Sequence, residues 1–172
     1  HVAHQKLIFS FRFGGSYGAQ MVGAVSGTSL SITAGVNYPF PYGNTNEADQ
    51  IYDPNSGNVV LLAKDGTNSN KMTAIVCVLN NSTNTLTYGT KVTLDGSTST
   101  FYPRLATNGS GVFLAIFDAG YLYGMVLTIS GTSITAGSAH TIEGNSMNSR
   151  PDVEWLPSVS RFAVVFNRSN YG

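Results

Sequence analysis

The chain has 172 residues, with nine Lys and Arg against nine Asp and Glu, and charged residues make up only 10%. A neutral, weakly charged chain carries no electrostatic footprint for nucleic acid or an anionic membrane. Hydrophobic residues at 42% and aromatics at 11% supply a core, which excludes wholesale disorder.

The chain opens on His1 rather than Met, as a processed product or an excerpt would. The first apolar run is KLIFSFRF from Lys6, followed by AQMVGAV and the Thr-bearing LSITAG. Next comes DQIYDPNSG, whose Asp53-Pro54-Asn55-Ser56-Gly57 is turn chemistry, because Pro pre-sets φ and Gly supplies φ > 0. It leads into NVVLLAKD from Asn58, then TAIVCVL and LTYGTKVTL. RLATNGSG, GVFLAIFD from Gly111, YGMVLTI and SITAGSAHTI follow in the same order. VEWLPSVS and RFAVVFNR from Arg161 come last. Each segment reads as a short strand, since β-branched and aromatic residues suit a pleated surface and turn residues punctuate them. The four apolar runs are apolar on both faces, as strands covered on both sides are. No window sustains a helical period, so no helix is expected.

The runs keep a beat. Their starts at Lys6, Asn58, Gly111 and Arg161 lie 52, 53 and 50 residues apart. Ser26-Gly27-Thr28 returns as Ser130-Gly131-Thr132, and Gly35, Gly89 and Gly137 each close a Thr-rich stretch. Four strands per roughly 50 residues is the arithmetic of a β-propeller blade. The expected fold is therefore all-β, in blade-like units at about 1–46, 47–98, 99–148 and a partial 149–172, with a β-sandwich as the alternative. The tracts RPDVEWLPSVSRFAVVFNRSNYG and TISGTSITAG resemble β-propeller-type blade repeats of bacterial surface proteins and phage tail-fibre-like proteins. That resemblance implies the fold and an extracellular, cell-surface or virion-surface habit, not an activity.

Chemistry is sparse. Cys77 is alone, so no internal disulfide can form, and its apolar run TAIVCVL reads as core. His1 and His4 have a zinc-like spacing but sit at a terminus, and the third histidine, His140, is distant, so no metal and no cofactor is expected. Asp49, Asp118, Asp152, Glu143 and Glu154 are the carboxylates that could make a hydrolytic pair. Asp65 and Asp118, which end their apolar runs, instead look like residues bonding a turn backbone. No sialidase box, nucleophile elbow or phosphate loop occurs, and the chain reads as non-enzymatic.

Sugars are bound by flat aromatics and neutral hydrogen-bonding groups, which makes Tyr102, Tyr123, Trp155 and Tyr171 the candidate glycan contacts. Asn80, Asn81, Asn108 and Asn167 begin N-glycosylation sequons. Strand edges are the remaining feature. The hairpin from Val153 to Gly172 is expected to present an unpaired edge carrying Phe162, Val164 and Phe166, which a neighbour can cover by strand addition. Three readings follow: an extracellular structural or adhesive subunit that joins head to tail into a filament or continues into further repeats; a lectin-like module; or the non-catalytic part of a carbohydrate-active enzyme.

Overall fold

The computed structural model describes residues 6–13, 17–26, 28–32, 37–40, 47–95, 100–145, 147 and 150–168. Among them are sixteen strands and a single 3-10 turn, Gly66–Asn68. The strands form four antiparallel sheets, none closed into a barrel. Sheet one holds β1 (Lys6–Phe13), β2 (Tyr17–Ser26), β3 (Ser29–Ile32) and β4 (Asn37–Phe40). Sheet two holds β5 (Ala48–Asp53), β6 (Asn58–Asp65), β7 (Lys71–Asn80), β8 (Thr85–Tyr88) and β9 (Val92–Thr93). Sheet three holds β10 (Phe101–Thr107), β11 (Val112–Asp118), β12 (Leu122–Ser130), β13 (Ser133–Ala136) and β14 (His140–Glu143). Sheet four is the hairpin of β15 (Asp152–Leu156) and β16 (Arg161–Val165).

Each sheet contains only strands consecutive in the chain. The observed fold is all-β, a series of antiparallel sheets each built from its own stretch of the chain. The turn chemistry ahead of β6 works as its residues suggest. Asp53 is fully buried and takes the Ser56 hydroxyl at 2.7 Å, while Gly57 closes the turn at φ 74°.

The outer strand of each unit departs from the sequence expectation, because it breaks in two. β8 and β9 both pair with β7, and β13 and β14 both pair with β12. The break falls at the glycines that close the Thr-rich stretches. Gly89 N–H donates to the Val76 carbonyl at 2.9 Å, and Gly137 N–H to the Val126 carbonyl at 2.8 Å. A Cβ on Gly89 would land on the Thr132 carbonyl oxygen of sheet three, so the chain turns there through a space only glycine fits.

The apolar runs are the middle of the stack. In β6, Val60 and Leu62 face sheet three, while Leu61 and Ala63 pack on the opposite face with Ile75 and Cys77. In β11, Phe113, Ala115 and Phe117 face sheet two, while Leu114 and Ile116 meet Val153, Phe162 and Val164 of sheet four. The runs of β6 and β11 are thus apolar on both faces because a sheet lies against each face. Within the runs, Leu61 is buried, and Leu114 and Val164 are half-buried against sheet-to-sheet clusters. Sheets one and two meet through a polar seam. There Gln20, fully buried, donates to the Ser10 hydroxyl at 3.0 Å and to Gln50 Oε1 at 3.1 Å.

Candidate functional site

The first strands of sheets two, three and four, β5, β10 and β15, are neighbours along the stack. Their entrances read Glu47-Ala48-Asp49, Tyr102-Pro103-Arg104 and Arg150-Pro151-Asp152. The ladders support that alignment, since Asp49 pairs with Leu62, Arg104 with Ile116 and Asp152 with Val165. Asp49 and Asp152 show what repetition produces. Asp49 Oδ1 accepts the N–H of Gln50 at 2.9 Å, and Asp152 Oδ1 accepts that of Val153 at 3.0 Å. Asp49 Oδ2 also accepts the Leu105 N–H of the next sheet at 2.8 Å. Burial pushes the Asp49 carboxyl above its ordinary range, against the opposing pull of these N–H groups and of Arg104.

The positions two residues ahead of Asp49, Arg104 and Asp152 are Glu47, Tyr102 and Arg150, and they gather at one cleft. It has a volume of about 100 Å³ and is lined by Glu47, Ala48, Tyr102, Pro103, Arg104 and Arg150. A β-bulge builds its middle, because the β10–β11 register shifts between Phe101 and Arg104. Pro103 has no N–H to give to a ladder, so a bulge is where it fits. Tyr102 takes a left-handed backbone with φ 54°, and its N–H is received by the Glu47 carboxylate. The Arg150 guanidinium stands 5.9 Å from the centre of the Tyr102 ring. Arg104 bonds the Pro103 carbonyl through Nη1 at 2.9 Å, and its Nε lies 3.9 Å from Asp152. Behind the cleft, Lys64 places its ammonium 4.1 Å from the centre of the Phe101 ring.

A second cleft, of about 190 Å³, lies between β1 and β5. Leu7, Ile8, Gln50, Tyr52, Val59 and Leu79 line it. Gln50 Nε2 donates to the Ile8 backbone carbonyl at 2.6 Å.

The other sequence candidates scatter. Tyr123 is half-buried and packs 6.2 Å from Phe117, and Trp155 tilts against Phe162 at 4.8 Å. Both serve packing, and Tyr171 lies outside the described residues. Glu143 bonds Asn145 and Arg168, contacts that hold its carboxyl below the usual range, with the Asn145 side chain the leading cause. Asp118 takes the Gly120 N–H at 2.7 Å, and Glu154 points to solvent from β15. Asn80 and Asn108 cap turns through Oδ1, Asn81 lies in the exposed turn after β7, and Asn167 is exposed beyond β16. Phe162 and Val164 turn inward from β16, and Phe166 joins the same cluster. The apolar side chain β16 shows to solvent is Val165, 71% exposed. Cys77 is fully buried, and burial pushes its thiol up to about 12.

Among the described residues, no three His, Cys, Asp or Glu side chains gather as a metal cluster. The cleft at Tyr102 was not visible as a cluster in the sequence, although Tyr102 itself was a candidate. The signal that could have found it is the three aligned entrances with three different leading residues. No protein-family model matches the chain, and no curated protein is similar to it.

Proposed function

We propose that this chain is a non-enzymatic, extracellular structural or adhesive repeat protein that assembles through its strand edges, and that copies of it join head to tail. The observation that carries the reading is the ladder pairing, among the described residues, of the strands at the two ends of the array. β6 lies between β5 and β7, and β11 between β10 and β12. Their counterparts β1 and β16 each have one ladder partner among the described residues. Beside β1 lies the cleft where the stack would carry another first strand, and a Gln50 side-chain amide occupies one hydrogen-bonding position there. Beside β16, Val165 stands exposed. An open flank with apolar side chains is a template for strand addition. The two flanks differ, so the contact is heterologous and can propagate rather than close. Low charge and a surface rich in Ser, Thr, Asn and Gly fit an extracellular or surface setting.

Sedimentation and negative-stain microscopy across a concentration series test the reading. Head-to-tail oligomers or filaments are expected, and Val165→Lys, a charge placed on the exposed face of the end strand, shortens them at least tenfold. A monomer at every concentration, or filaments indifferent to Val165→Lys, overturns it.

A further inference from the structure

We propose that the cleft of Glu47, Tyr102 and Arg150 binds an acidic saccharide, specifically the carboxylate edge of a uronic-acid residue. This does not depend on the assembly reading, since the cleft lies within one chain. The first argument is the departure from repetition. At the position shared by Asp49, Arg104 and Asp152, two of the three keep one residue type and one duty, accepting the N–H that follows. The three entrance positions that meet here are instead acidic, aromatic and basic. Three unlike groups brought to one point by a repeat form a unique constellation, as a ligand site requires.

The second argument is backbone cost. A bulky residue at φ 54° is an outlier, and a residue ahead of proline is already restricted. Tyr102 is held there by a carboxylate 55 positions away in the chain, and the hold presents its ring at the cleft. Strain of this kind persists where the surrounding structure enforces it, and it concentrates at ligand sites.

The third argument is chemical fit. A guanidinium matches a carboxylate with two parallel N–H donors, and Arg150 is the exposed one. A tyrosine ring offers a flat face to the C–H face of a pyranose. The Glu47 carboxylate, which takes the Tyr102 N–H, has a second oxygen that can accept from a sugar hydroxyl. A volume near 100 Å³ suits the acid end of one sugar, with the rest of the polymer running over the open surface.

Titration calorimetry with oligogalacturonate and oligoglucuronate, against neutral oligosaccharides of equal length, tests the proposal. Uronate binding is expected with Kd of about 0.1–1 mM, weakening as salt rises. Arg150→Gln lowers the affinity at least tenfold while leaving thermal unfolding unchanged. Tyr102→Gly relaxes the left-handed backbone and removes the ring, so the fold persists and binding is lost. Should that variant unfold, Tyr102→Asn, which tolerates the same backbone, carries the test. Arg161→Gln, on the outward face of β16, leaves affinity unchanged. The proposal is overturned by equal affinity for neutral sugars, by no uronate binding up to about 10 mM, or by binding that survives both Arg150→Gln and loss of the ring.

Discussion

At the scale of single residues, burial decides reactivity. Cys77 packs in one cluster with Leu61, Ala63 and Ile75 with no exposed surface, and Gln20 is its polar neighbour. Desolvation disfavours the thiolate, so the thiol titrates near 12 in the fold against 9.0 ordinarily. The sign follows from linkage. The folded value is raised, so nothing is lost below pH 9, and stability falls as pH climbs from 9 toward 12, because the unfolded chain ionises first. The slope is roughly 1.4 kcal/mol per pH unit. Cys77→Ala removes this dependence. Urea unfolding of the two proteins should therefore show a stability gap that shifts by about 2 kcal/mol toward the variant between pH 8 and 10.5. A gap constant with pH would mean that the thiol is not desolvated. Tyr88 adds a drop of the same sign at higher pH, since burial, then the neighbouring Cys77, raises its phenol too.

At the scale of elements, the two-sided apolar character of the central strands was legible in the sequence, whereas the break in the outer strands was not. NVVLLAKD carries no polar face, and a strand without one needs a cover on each side, which is how β6 sits. SITAG and TLTYG read equally well as the inside of one long strand. What ends TLTYG is the approach of sheet three at Gly89, which no local pattern encodes. Gly89 faces the Thr132 carbonyl, whereas a Cβ on Gly137 would meet the carbonyl of Val126 at 3.3 Å. The two glycines should therefore respond differently. Gly89→Ala is expected to cost about 2 kcal/mol or more and Gly137→Ala less than about 1 kcal/mol, read from chemical denaturation. Equal costs would show that the glycines act through backbone freedom alone. The Tyr102 cleft was hidden for a related reason. Tyr102-Pro103 reads as an ordinary extended pair, and only a carboxylate from the preceding unit turns it left-handed.

At the scale of the whole molecule, stability is unevenly placed. Sheets two and three share one large core, with Phe113 and Phe117 fully buried against Val60, Leu62 and Met72. The β15–β16 hairpin is covered on one face only, and Leu156, Val159 and Val165 are exposed. Native-state hydrogen exchange should find β6 and β11 protected at least ~100-fold more than the hairpin. Uniform protection would contradict a stack held chiefly at its centre. The divided outer strands have a consequence of their own. β8, β9, β13 and β14 are two to four residues long, and each pair is interrupted where the chain turns. A strand of foreign chain laid along that rim would find its ladder cut after two or three bonds, too few to hold it. The rim is thus insulated against lateral accretion. Under the proposed head-to-tail assembly, growth is therefore expected at β1 and β16, the two ends of the chain's array, and not along the rim, which would give a thread rather than a plaque.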